Sequence, residues 1–257
     1  MSDTSFETMY GNLAGALTVA ERADLDERGY TVVENAMDAD WRHELCAAFD
    51  RIVDAEGDLA ATVPGTRYEP EPGAPRIAYC VNRGPVFEPS YTHPKVLAAA
   101  RHVIGRPFKL HGLNARDVRR GQGRQNLHAD HARSHGDDAF HLLNTLWLLD
   151  DVTATNGPTR IVPGSHRVSG PIGDHVDDVH AAHPDEVTLT GAAGTVVVFN
   201  GHCWHGGTAN VDGSRRRVLH VSYVARDRPQ QVDCAAVTTP ETAARLSADV
   251  RYLLDLG

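Results

Sequence analysis

The sequence predicts a mainly β fold: an antiparallel barrel or jelly roll with helices packed on one side. Three observations carry that prediction. The first hundred residues place apolar side chains at helical spacing, the chain turns after Gly105 to short runs rich in Val, Leu, Thr and aromatic residues, and Gly, Pro, Asp and Asn separate those runs. With 257 residues and 41% hydrophobic content the chain can bury a substantial core. No Pro/Gly/Ser-rich linker or internal repeat divides it, so one domain is expected over 1–257. Within it, 1–105 form a helical portion with substrate-side loops, 106–226 the jelly-roll core, and 227–257 a tail with a helix.

Taken in order, residues 1–15 carry little pattern and read as a loose arm. Val19, Ala20, Ala23 and Leu25 suggest a short helix ended by Gly29, and Tyr30-Thr31-Val32-Val33 reads as a strand. Asp38 or Asp40 caps a longer helix carrying Trp41, Leu45, Phe49 and Ile52. Residues 57–77, rich in Gly, Pro and charge, read as a long loop of the kind that often serves as a lid. Arg76, Tyr79 and Asn82 follow it and are candidates to face a substrate, against the plainer alternative of surface or strand packing. His93-Pro94 opens a helix closed by Gly105. Strand-like runs then cover 108–115, 142–149, 160–162, 187–189, 195–199 and 217–224, and 242–254 reads as a C-terminal helix.

The formal net charge is −9 and Arg residues are dispersed except at Arg215-Arg216-Arg217, so no nucleic-acid footprint is expected. The N-terminus lacks a basic segment followed by an apolar one, and no apolar run reaches membrane-spanning length; a cytoplasmic protein without a membrane partner is expected. Cys46, Cys80, Cys203 and Cys234 are widely spaced, which fits reduced thiols rather than a disulfide frame.

The chemistry-bearing stretch is Asn126-Leu127-His128-Ala129-Asp130-His131. In extended backbone His128 and Asp130 point to one side, where an imidazole nitrogen and a carboxylate oxygen can grip one metal ion. Fifteen histidines make a chance His-x-Asp unremarkable, so the pair needs a third ligand. His205 is the candidate, with His202 three residues earlier as competitor. Two His and one carboxylate on one face of an octahedron leave three positions open, as in non-haem Fe(II) oxygenases.

Five ordered motifs add specificity: Gln125 to Asp130, Leu146-Trp147-Leu148-Leu149-Asp150-Asp151, Asn156-Gly157-Pro158-Thr159, Pro163-Gly164-Ser165-His166, and Trp204-His205-Gly206-Gly207 followed by Arg216. Together they closely resemble the phytanoyl-CoA dioxygenase-like family of Fe(II)/2-oxoglutarate oxygenases. The resemblance implies a cupin-like double-stranded β-helix with Fe(II) held by His128, Asp130 and His205 inside one end, and no catalytic residue beyond the metal centre. It implies Arg216 as the partner of the 2-oxoglutarate distal carboxylate, with Thr159, Gln125 and Trp147 lining the cosubstrate pocket. A buried carboxylate needs such a partner, and a guanidinium supplies two charge-assisted hydrogen bonds. Arg215 and Arg217 then read as surface residues. Arg133, in the polar loop after the His-x-Asp, is a candidate contact for an acidic or polar substrate.

The implied activity is a dioxygenase that uses O2 and 2-oxoglutarate to hydroxylate an unactivated C–H bond of a small molecule, releasing succinate and CO2. Desaturation, epimerisation or oxidative cyclisation by the same machinery is the alternative. A non-catalytic cupin-like metal or ligand binder is the alternative from another class. Asp130 disfavours halogenation, for which related enzymes carry a small residue at that place. The Lys-poor, Ala/Arg/Asp-rich composition suggests a bacterial source and a role in specialised metabolism.

Overall fold

The structure is a computed structural model that describes residues 6–7, 10–63 and 73–257, with the side chains of 12 and 14 excepted. Its elements run α1 (Val19–Glu27), β1 (Tyr30–Val33), α2 (Ala39–Glu56), β2 (Arg76–Ile77), α3 (Glu88–Thr92), α4 (Pro94–Ile104), β3 (Phe108–Asp117), β4 (Leu142–Leu148), β5 (Thr159–Ile161), β6 (Val187–Leu189), β7 (Val196–Asn200), β8 (His205–Gly207), β9 (Arg217–Ala225), α5 (Cys234–Val237), α6 (Pro240–Arg245) and α7 (Ala248–Leu253). Local chemistry sets several of these boundaries. Thr18 and Glu21 form a reciprocal capping box at the start of α1, and Asp38, not Asp40, caps α2 by accepting from the Trp41 amide at 2.8 Å. Gly105 ends α4 in the left-handed conformation. The single C-terminal helix expected over 242–254 is instead two, because Ser247 turns extended and caps α7 through the Val250 amide.

The strands pair antiparallel in two sheets, a larger one ordered β1-β7-β4-β9-β3-β2 and a smaller one ordered β6-β5-β8, giving the expected jelly roll with helices on one side. Alternation along β4 divides the interior in two. Leu143 and Trp147 join the cluster that includes Leu45 and Phe49 of α2 and Val96 and Leu97 of α4. Leu146 and Leu148 point the other way, with Val197, Phe199 and Val218, into the space between the sheets. A one-residue slip in register would exchange these faces, so burial on both sides pins it.

Two further expectations are corrected. The loose arm over 1–15 falls partly outside the described residues, but Phe6 and Tyr10 are buried with their rings 5.2 and 5.6 Å from Phe108. Arg217 is not a surface residue. It is 8% exposed because Asp150 takes its Nε and Nη2 at 2.9 and 2.7 Å and Asp50 takes its Nη1 at 3.0 Å, while Arg215 stays exposed. The long loop expected over 57–77 begins with a 3-10 turn, Gly57–Ala61, and its segment 64–72 lies outside the described residues. No helix among the described residues is long and apolar enough to cross a membrane.

Candidate active site

The segment 123–128 lies against β8, and two glycines set how closely. A Cβ on Gly206 would fall 2.7 Å from the Asn126 carbonyl oxygen and one on Gly207 2.3 Å from that of Gly123. Without those side chains the backbones pair: the His128 amide donates to His205 O at 2.9 Å, the His205 amide to His128 O at 2.8 Å, and the Gln125 amide to Gly207 O at 2.9 Å. The two histidines thereby become direct cross-strand partners, with ring centroids 4.5 Å apart. Gly207→Ala is expected to force these backbones apart, costing about 1–3 kcal/mol and lowering the melting temperature by roughly 2–12 °C. Thermal unfolding of the purified variant checks this, and an unchanged melting temperature would refute it.

Asp130 completes a group of three whose ligand atoms all lie within 4.8 Å of one another; it is the one such group among the described residues. Its Oδ1 is 3.5 Å from His128 Nε2 and its Oδ2 3.6 Å from His205 Nε2. Each ring is oriented from behind: His128 Nδ1 donates to Asn126 O at 2.8 Å and His205 Nδ1 to Cys203 O at 3.0 Å. A carbonyl can only accept, so the proton sits on Nδ1 and the Nε2 lone pair of each ring is free to bind a metal. Desolvation pushes the Asp130 carboxyl up, but the imidazoles of His205 and His128 outweigh it and hold the group well below the usual carboxylate range. The hydrogen bond with Asp130 raises the pKa of His128 above its ordinary 6.5, while burial lowers that of His205. One ionised carboxylate and two available imidazole nitrogens form a donor set suited to a divalent first-row metal.

The triad opens on a cavity of about 280 Å³ between the two sheets, at the small end of ligand cavities. Arg216 enters it from the residue before β9 and is 4% exposed. Its Nη2 donates to Thr159 Oγ1 at 3.3 Å, and its Nε has no hydrogen-bond partner among the described residues. Burial and the neighbouring Arg116, opposed by Asp117, push the guanidinium down to about 10, which leaves it charged at neutral pH. A buried cation with an unfilled donor beside a cavity fits an anionic ligand there. Gln125 also lines the cavity, and its Oε1 accepts from the Gly207 amide at 3.0 Å.

The other sequence candidates divide. Arg76 lines the cavity, paired in register with Arg116 across β2 and β3. Trp147 does not: it has the wrong parity on β4 and packs edge-on against Trp41 and His93 at 5.4 Å, while Leu146 takes the wall. Tyr79 is buried in the helix-side core with its hydroxyl 2.6 Å from Thr238 Oγ1. Asn82 spends its amide on Val237 O and the Thr239 amide. Arg133 closes its own loop, donating to Asp137 O, Arg167 O and Asp138. His202 packs against His131 and is not part of the triad. Cavity residues that the sequence reading did not single out include Asn114, Arg116, Leu146 and Gln231. Parity with His220, their neighbour on β9, would have found Asn114 and Leu146 once the register was known. Nothing in the sequence pointed to Gln231.

Comparison with known proteins places this chain in a family. The model of the phytanoyl-CoA dioxygenase (PhyH) family matches residues 25–218. An ectoine dioxygenase of Halomonas elongata is 27% identical over 244 residues, covering 83% of this chain and 71% of its own. The fold is shared with HygX from Streptomyces hygroscopicus, solved with nickel, 2-oxoglutarate and hygromycin B bound (TM-score 0.66, 18% identity, 83% of this chain and 90% of that one). It is shared also with SnoK, a non-haem α-ketoglutarate-dependent carbocyclase from nogalamycin biosynthesis (TM-score 0.67, 20% identity, 91% and 92%). The match to the family model spans well over half of the sequence, and the chain belongs to the phytanoyl-CoA dioxygenase family.

Proposed function

We propose that this Fe(II)/2-oxoglutarate-dependent dioxygenase holds iron with His128, Asp130 and His205, anchors its cosubstrate with Arg216, and hydroxylates a C–H bond of a small polar molecule in bacterial specialised metabolism. The observation that carries the proposal is the meeting, in one cavity, of a two-His-one-carboxylate group and a buried guanidinium with an unfilled donor. When bound, Fe(II) with 2-oxoglutarate and O2 supplies the oxidising power, yielding succinate and CO2.

The chain supplies placement. His128, Asp130 and His205 would hold the iron with two imidazole nitrogens and one carboxylate, and would leave positions for cosubstrate and oxygen. Arg216 and Thr159 offer a cation and a hydroxyl to the far carboxylate of a keto-diacid, while Gln125 holds Gly207 in the wall beside them. Leu146, Phe199 and Val218 form the dry wall that limits solvent, and His220, pushed down to about 4 chiefly by burial, remains neutral there at neutral pH. Arg76, Asn114 and Gln231 give the remaining space a polar lining, which favours a polar substrate. Small molecules are what the named relatives handle, ectoine and hygromycin B among them.

The test is conversion of 2-oxoglutarate to succinate, coupled to an added oxygen atom in the product, across a panel of small polar metabolites. Tight Fe(II) and 2-oxoglutarate binding with no coupled product from extracts of a producing cell would overturn hydroxylation. Metal affinity should also fall on acidification. A proton and a metal compete for His128 Nε2, and the raised pKa of that ring makes it the first of the two to protonate as pH falls. Below the His128 pKa the apparent affinity is expected to drop about tenfold per pH unit. Equilibrium Co(II) titrations between pH 8 and 5.5 read this directly, and a flat profile would count against His128 as ligand.

A further inference from the structure

We propose that Asn144 is a positioning residue for the metal centre, holding one oxygen of Asp130 so that the carboxylate offers the metal only the other. The inference rests on the metal-site reading above and extends it to β4. Asp130 sits in a bend beyond the bridge residue His128, so no strand holds its side chain in place. Asn144 sits inside β4, whose backbone is paired on both sides, to β7 and to β9. Fully buried, it donates from Nδ2 to Asp130 Oδ2 at 2.7 Å. The amide presents its nitrogen, the group that can donate, to a carboxylate oxygen that accepts.

The rest of the Asn144 side chain is poorly served. Its Oδ1 is buried and has no hydrogen-bond partner among the described residues. Of its same-face neighbours Leu146 and Phe199 are apolar, and Ser222, opposite it on β9, gives its hydroxyl to Gly112 O at 3.5 Å, so the position offers an amide little beyond Asp130 itself. The single good bond has a specific consequence. A facial triad keeps three positions open only while its carboxylate binds through one oxygen; through two, the chelating cosubstrate would fill the remainder and leave oxygen none. Both oxygens lie beside a ligand ring, Oδ1 3.5 Å from His128 Nε2 and Oδ2 3.6 Å from His205 Nε2; the bond from Asn144 to Oδ2 is what distinguishes them and leaves Oδ1 the unengaged donor for the metal.

The test compares Asn144→Leu, which removes the donor at similar volume, with Asn144→Ala, which removes it and opens a gap. Metal-free wild type and both variants are titrated with Co(II) by visible absorption, and the melting temperature of each metal-free protein is measured. Both variants should bind Co(II) roughly 10- to 100-fold more weakly, with a shifted absorption band, whatever the direction in which their metal-free melting temperatures move. Affinity within twofold of wild type with an unchanged band, or affinity losses that simply track the loss in melting temperature, would overturn the inference. Wild type that takes up no Co(II) would overturn the metal-site reading along with it; wild type that binds while both variants bind equally well overturns this inference alone.

Discussion

Anaerobic protein mixed with Fe(II) and 2-oxoglutarate is expected to develop a visible metal-to-ligand charge-transfer band, and His205→Ala to abolish it. His205 is 7% exposed, its Nδ1 is committed to the Cys203 carbonyl, and its Nε2 is 3.6 Å from Asp130. Removing it leaves one imidazole and one carboxylate, too few to hold iron on a single face. Coupled turnover should fall by more than about 100-fold, beyond the upper end of what losing a merely supporting group does. His202→Ala is the contrasting variant. His202 bonds through Nδ1 to Asn200 and packs at a tilt against His131, so its loss should leave the band in place. A band that survives His205→Ala and disappears in His202→Ala would exchange the two assignments.

How far this centre was legible in the sequence depends on the range of the physics. His128 and Asp130 could be read because their relation is local, two residues apart on one edge of the chain. The place of His205 came from the motif around it; its physical reason became visible only in three dimensions, as backbone contact across Gly206 and Gly207. Trp147 shows the opposite case. An apolar run buried on both faces carries no alternation to reveal which side chains look inward, and the assignment slipped by one residue, from Leu146 to Trp147. Tyr79 and Asn82 were misplaced because their partners, Thr238 and Val237, lie more than 150 positions away in a tail whose docking no local pattern announces. The ion pairs of Arg217 with Asp50 and Asp150 are equally remote.

Arg216→Met is expected to do two things of opposite sign. In the ligand-free protein it removes a cation that is 4% exposed and whose Nε has no hydrogen-bond partner among the described residues, replacing it with an apolar chain of similar length. Relief of a buried charge that Asp117 only partly offsets should stabilise by about 1–4 kcal/mol and raise the melting temperature by several degrees. With 2-oxoglutarate the balance reverses. The distal carboxylate would then be buried without its partner, a loss of about 3–5 kcal/mol, so its dissociation constant should rise by roughly 10²- to 10³-fold or more. Added 2-oxoglutarate, which stabilises the metal-loaded wild type in proportion to the logarithm of its concentration over the dissociation constant, should leave the variant almost unmoved. Arg216→Lys separates charge from geometry: it keeps the cation but not the forked pair of donors, and should fall between the two. The crossing of the two effects is the diagnostic feature. A structural arginine would lower the melting temperature when replaced and leave the response to 2-oxoglutarate intact, and that pair of results would remove Arg216 from the cosubstrate site.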